Sequence, residues 1–155
     1  SEEMSRIIDD RNRIYMVSEE LIKMCKSMKV IITGGMAYTF LVAQGKKVGL
    51  IGTVANYIGE KNLGESSRTT PDSLELQRLF SQMVEEKVEV AIMEVSSQAL
   101  KLDRVTGCEF DIGLFTNLTE DHISPKEHPS MEDYFNCKLK LIEMSKKRNY
   151  NNLLW

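Results

Sequence analysis

Apolar residues recur along this chain in two rhythms, one with the period of a helix and one that fills short runs outright. The helical rhythm is clearest in "TTPDSLELQRLFSQMVEEK", where Leu76, Leu79, Phe80, Met83 and Val84 stand at i, i+3, i+4, i+7 and i+8. Thr70 is placed to be its N-cap, with Pro71 at the first helical position and Asp72 in the first turn. A second stripe runs through Met131, Tyr134, Phe135, Leu139 and Ile142, behind Ser130, which with Asp133 resembles a capping box. Ile14, Val17, Leu21, Met24 and Cys25 predict a helix over about 13–27. "MAYTFLVAQG" predicts about two turns of helix ending at Gly45, a residue suited to the position after a helix C-cap.

The filled runs are "KVIIT" (29–33), "KKVGLIGT" (46–53), "VEVAIMEV" (88–95) and "FDIGLFTN" (110–117), each read as a mostly buried strand. Residues 54–69 read as a polar loop. Strands alternating with helices predict an α/β fold, a doubly wound and mostly parallel sheet flanked by helices. In such sheets ligands sit beyond the carboxyl ends of the strands. The domain occupies 29–145, after a linker helix or remnant of an N-terminal region at 1–28 and before a patternless tail at 146–155. One feature does not fit: the connection between the first two strands is short for a parallel crossover, which needs about a dozen residues or more.

Composition narrows the class. The chain has 155 residues, 42% of them hydrophobic and 28% charged, as expected of one globular domain. Its net charge of −3, without a cluster of lysine and arginine, argues against a nucleic-acid partner. No apolar run reaches the roughly 18 residues of a membrane span, and the N-terminus has no signal-peptide pattern. Three widely spaced cysteines read as reduced thiols, which points to the cytoplasm.

Candidate chemistry gathers at the predicted strand ends. Thr33-Gly34-Gly35 begins as a phosphate-cradling loop begins, but Met36-Ala37-Tyr38 follows and no lysine appears before Lys46. Glu94 and Asn117 end their strands; the first is either a ligand for a hard divalent cation or an exposed acid. His122 and His128 lie six apart in one loop, a spacing that matches no strict metal motif, and read as solvated. Lys138 occupies the helical stripe itself, where an amine is costly unless paired, modified or snorkelling. Arg104 reads as an ordinary surface residue.

Taken together, "GKKVGLIGTVANYIG", "TTPDSLELQRLFSQMVEEK", "AIMEVSSQAL", "GLFTNLTEDH" and "MEDYFNCKLKL" strongly resemble the central, ATP-binding domain of the Mur ligases over residues 29–143. The type it is most similar to is the MurE type, which adds the third residue to UDP-N-acetylmuramoyl-L-alanyl-D-glutamate. The resemblance implies ATP and Mg2+ as cofactors, and the UDP-muramoyl dipeptide and a free amino acid as partners. It implies that Glu94, His122 and Lys138 hold magnesium, with Lys138 carbamylated. Thr33, Gly34, Gly35 and Asn117 fall at the ATP site, and Thr69, Thr70, Ser96 and Arg104 at the substrate. The expected reaction activates the substrate carboxylate as an acyl phosphate, which the amino acid's amine opens to an amide.

Three departures stand beside the resemblance. The family's "TGTNGKTT" is "TGGMAYTF" here, several residues shorter and without the Lys-Thr pair. Gln98 replaces the histidine of "EVSSHAL". The family's flanking domains have no counterpart in 155 residues. The chain is therefore expected to be part of a longer enzyme and inactive as it stands. The other readings are an inactive binding module, or a relative of the folylpolyglutamate or cyanophycin synthetases.

Overall fold

The computed structural model describes residues 33–125 and 127–145, leaving aside the side chains of Glu65 and Asp121. The expected helix at 13–27, most of the strand at 29–33 and the tail lie outside these residues. The chain divides into two compact units, one built from residues up to 69 with 78–94, the other from 70–77 with 95 onward.

The first unit is a mixed sheet with helical cover. Its strands are β1 (Val48–Ile51), β2 (Ala55–Ile58), β3 (Lys61–Glu65) and β4 (Val90–Met93), in the order β3-β2-β1-β4. β1 is buried at every position because it has a strand on each side. It pairs in parallel with β4 and antiparallel with β2, and β2 pairs antiparallel with β3. The α/β class stands, and among the described residues the sheet is mixed, with one parallel pair.

Residues 54–69 are not the polar loop expected from their composition, because β2 and β3 form a hairpin there. Ile58 faces Lys61 across a two-residue turn, and Gly59 takes the positive φ (58°) that the first turn position needs. Polarity misled because β3 is the end strand of the sheet among the described residues, with Lys61, Asn62 and Gly64 exposed.

Helix α1 (Gly34–Ala43) covers the sheet through Tyr38, which packs with Val48 and Leu50, and with Leu41, Val42, Tyr57 and Ile92 around them. The Tyr38 hydroxyl donates to the Gly59 carbonyl (2.6 Å), tying the helix to the hairpin turn. The expected end at Gly45 holds: α1 stops at Ala43, and Gly45 takes φ 79° while its N–H returns to the Val42 carbonyl.

Helix α2 (Ser73–Glu85) buries Leu76, Leu79 and Met83 as its stripe predicts, but Val84 is 77% exposed. Its cap is not Thr70. The Asp72 carboxylate accepts from the Glu75 N–H (3.1 Å), and the Leu76 N–H bonds to the Asp72 carbonyl, so the helix starts about two residues later. β4, expected to be mostly buried, is half-buried, with Ala91 exposed.

The second unit is built on α3 (Ser97–Lys101) and α4 (Met131–Met144), with a 3-10 turn at Glu120–His122. Ser130 caps the helix as expected, its hydroxyl accepting from the Asp133 N–H (3.1 Å), while the Asp133 side chain turns to Lys101 and His128 instead of closing a box. Tyr134 and Cys137 of α4 and Ala99, Leu100 and Val105 of the α3 region supply the buried apolar surface. The expected strand at 110–117 is absent; Phe110 makes an isolated bridge to Ser145, while Ile112 and Leu114 are exposed. An apolar run alone does not make a strand; among the described residues β4 pairs with β1 and no strand lies beside 110–117 to take its hydrogen bonds.

Candidate active site

In the first unit, three of the expected positions come together around Glu94. The residue follows β4 directly, and its N–H still bonds to the Ile51 carbonyl (2.9 Å), so the backbone holds it at the strand end. Its Oε2 accepts from the Thr53 hydroxyl (2.7 Å) and from the Thr53 N–H (3.0 Å). Its Oε1 lies 3.0 Å from where a Cβ on Gly34 would stand, and Gly34 has φ 58°. The backbone conformation favours glycine there, and a Cβ would also crowd the carboxylate. Thr33 precedes the first turn of α1, and the Ala37 N–H reaches its carbonyl. Thr69 joins through its hydroxyl, 3.1 Å from that of Thr53.

The second unit brings five of the others together in two places. Thr70 is fully buried; its hydroxyl accepts from the Ser96 N–H (2.9 Å) and its carbonyl from Arg104 Nη1 (3.3 Å). Thr70, Ser96 and Arg104 therefore form one cluster, and Arg104 is half-buried and engaged, not a bare surface residue. Ser96 also caps α3, accepting from the Ala99 N–H (3.2 Å). Asn117, which ends no strand here, is exposed and offers its carbonyl to Lys138 Nζ (2.5 Å). The ammonium also lies 4.8 Å from the centre of the Tyr134 ring and 5.2 Å from that of Phe115. That arrangement explains how an amine stands on an apolar stripe.

The two histidines differ in kind. His122 is exposed, its Nδ1 3.2 Å from Glu127 Oε2. His128 is not solvated as expected but wholly buried, its Nδ1 2.7 Å from Asp133 Oδ2 and its Nε2 2.9 Å from the Ser97 hydroxyl. Lys101 donates to the same Asp133 oxygen (2.9 Å) and to the Glu127 carbonyl (2.8 Å). Hydrogen bonds from Lys101, and then from His128, hold the Asp133 carboxyl below the usual range. Burial, and then the nearby Asp133 charge, push the Cys137 thiol up. His128, Asp133 and Cys137 have the residue types of a metal site, but both imidazole nitrogens and the carboxylate already have protein partners.

The donor sets decide what could be held. Glu94 presents a hard carboxylate oxygen, which suits magnesium. Lys138 as an ammonium cannot ligate a cation; as a carbamate it would. Gly34 and Gly35 open α1 with N–H groups of the kind that favour a phosphate. Met36 and Ala37 then bring neither the lysine nor the hydroxyl that a triphosphate and its cation require. Thr53 escaped the sequence reading, and so did the burial of His128. Thr53 adjoins Gly52 at the end of an apolar run, a place where functional side chains collect; nothing in the spacing of His128 distinguishes it from His122.

A glycine-opened helix beside a strand-end carboxylate is the architecture of an α/β nucleotide-type domain. Residues 33–153 match the family of the Mur ligase middle domain, and the chain belongs to that family. It is 53% identical over 116 residues to UDP-N-acetylmuramoyl-L-alanyl-D-glutamate–2,6-diaminopimelate ligase 1 of Clostridium acetobutylicum, covering 75% of this chain and 23% of that protein. It is 47% identical over 148 residues to the corresponding ligase of Clostridium botulinum, covering 89% and 30%. A solved structure of a ligase of the same name aligns with a TM-score of 0.57 at 28% identity, over 67% of this chain and 20% of that one. The chain thus spans under a third of the length of these relatives. Among the described residues no helix is long and apolar enough to cross a membrane.

Proposed function

We propose that this chain is the middle part of a cytoplasmic ligase that uses ATP to join diaminopimelate to UDP-N-acetylmuramoyl-L-alanyl-D-glutamate. The observation that carries the reading is the Glu94 carboxylate, fixed by Thr53 and laid against Gly34 at the head of α1. A carboxylate so placed beside a glycine-opened helix suits a magnesium–phosphate site. Bound magnesium would neutralise charge on the transferred phosphoryl group. Glu94, His122 and a carbamylated Lys138 are its proposed ligands. Thr33, Gly34, Gly35 and Asn117 serve the nucleotide. Thr69, Thr70, Ser96 and Arg104 hold the UDP-muramoyl dipeptide, whose carboxylate takes the γ-phosphoryl group to form an acyl phosphate; the incoming amine then attacks the acyl carbon and displaces inorganic phosphate, leaving the amide.

A second reading has its own support. Thr33-Gly34-Gly35 runs straight into Met36-Ala37, so a protein with this segment alone would bind the dipeptide without turning over ATP. ADP release by the full-length protein, with and without the dipeptide and diaminopimelate, separates the two. ADP formed only when both are present supports the ligase; dipeptide binding with no ADP supports the inactive module.

A further inference from the structure

We propose that Thr53 is a positioning residue that fixes the Glu94 carboxylate for a divalent cation and links that site to Thr69. The inference rests on the magnesium role proposed for Glu94. Thr53 gives Glu94 Oε2 two donors, the hydroxyl at 2.7 Å and the backbone N–H at 3.0 Å. Two donors from one residue onto one oxygen set the plane of the carboxylate and turn Oε1 toward Gly34. The loop bearing Thr53 is itself tied down, since the Gly52 N–H donates to the Asn56 side chain (3.3 Å) between β1 and β2. Partners that orient a metal-ligating carboxylate in this way commonly change metal affinity by about 10- to 100-fold when removed.

The hydroxyl carries a further consequence. A threonine hydroxyl has one proton, and that of Thr53 goes to Glu94. In the 3.1 Å contact between the two threonine hydroxyls, Thr69 is therefore the donor and Thr53 the acceptor. The Thr69 oxygen is left as an acceptor, suited to an N–H or O–H of the substrate. Charge at Glu94 and a hydrogen bond at Thr69 are thus joined through one side chain, and coupling between two binding sites is reciprocal.

The test is a Mn2+ titration of the full-length protein, read by loss of the free-ion electron paramagnetic resonance signal, with and without UDP-N-acetylmuramoyl-L-alanyl-D-glutamate. Thr53→Val keeps the shape and the N–H but removes the hydroxyl; Thr53→Ser keeps the hydroxyl. In the wild type the dipeptide should tighten Mn2+ binding. Thr53→Val should weaken Mn2+ about tenfold and abolish the effect of dipeptide, while Thr53→Ser stays near wild type. A Thr53→Val protein with unchanged Mn2+ affinity and unchanged coupling overturns the inference while leaving the role of Glu94 intact. A Thr53→Ser protein as weak as Thr53→Val overturns it too, because the hydroxyl would not be responsible. A wild type that binds no Mn2+ removes the inference and the magnesium role of Glu94 together.

Discussion

Replacing His128 with alanine should cost about 3–5 kcal/mol of stability, whereas the same change at His122 should leave stability unchanged. The imidazole of His128 is wholly buried, and truncating a buried side chain of that size costs about 2 kcal/mol or more through lost contacts and the cavity left behind. Ser97, itself buried, then loses its 2.9 Å partner, and a buried hydroxyl without a partner costs about 1–3 kcal/mol. Asp133 is about one-third exposed, keeps Lys101, and takes water in place of the ring, so it adds nothing to the sum. His122 has half its side chain in solvent, a contact to a largely accessible glutamate and an edge-on approach to the Tyr134 ring. Urea unfolding followed by circular dichroism, with midpoints compared at equal slope, reads the difference. A loss below about 1 kcal/mol for His128→Ala would refute the reasoning, since neither the cavity nor the orphaned serine would then be real.

Other consequences are equally checkable. Asp133 is held below its usual range chiefly by Lys101 and then His128, so its ionised form stabilises the fold above the ordinary aspartate value near 3.9 and the benefit fades as pH falls through the lower folded value. Stability should fall on acidification below about pH 4, less steeply in Lys101→Met; an unchanged slope would contradict the assignment. Leu79→Ala should cost about 2–5 kcal/mol by thermal unfolding and Val84→Ala less than about 0.5, though both lie on the same sequence stripe. In the full-length enzyme Lys138→Ala should abolish amide formation, with recovery in the presence of short carboxylic acids; full activity without them would remove the carbamate role.

What the sequence disclosed, and what it hid, follows from the kind of signal each element carries. The α2 stripe was legible because helical period survives whatever the helix packs against, yet period alone could not say that Val84 lies beyond the buried arc. The Ser130 cap was legible because its partner is three residues away, whereas Thr70 resembled a cap and bonds instead with Ser96, 26 residues on. The β2–β3 hairpin hid because an outer strand can be mostly polar; only the Gly59-Glu60 turn marked it. The run at 110–117 showed the opposite error, an apolar pattern without a neighbouring strand. At the site, Glu94 and Lys138 stood out by position and the threonines did not, and the roles expected of all of them came from resemblance to a family, since no single residue's spacing fixed one. Thr53 and His128 act through partners 41 and 31 residues away in sequence, and such pairings leave no local trace.

The central claim is that the substrate carboxylate is activated by direct transfer of a phosphoryl group. The most direct measurement supplies the full-length protein with ATP, diaminopimelate and UDP-N-acetylmuramoyl-L-alanyl-D-glutamate labelled with 18O in the carboxylate that becomes the amide. An acyl phosphate places one labelled oxygen in the released inorganic phosphate and leaves the other in the amide carbonyl, and mass spectrometry of both products should find them there. Amide formed with no label in the phosphate would contradict the account.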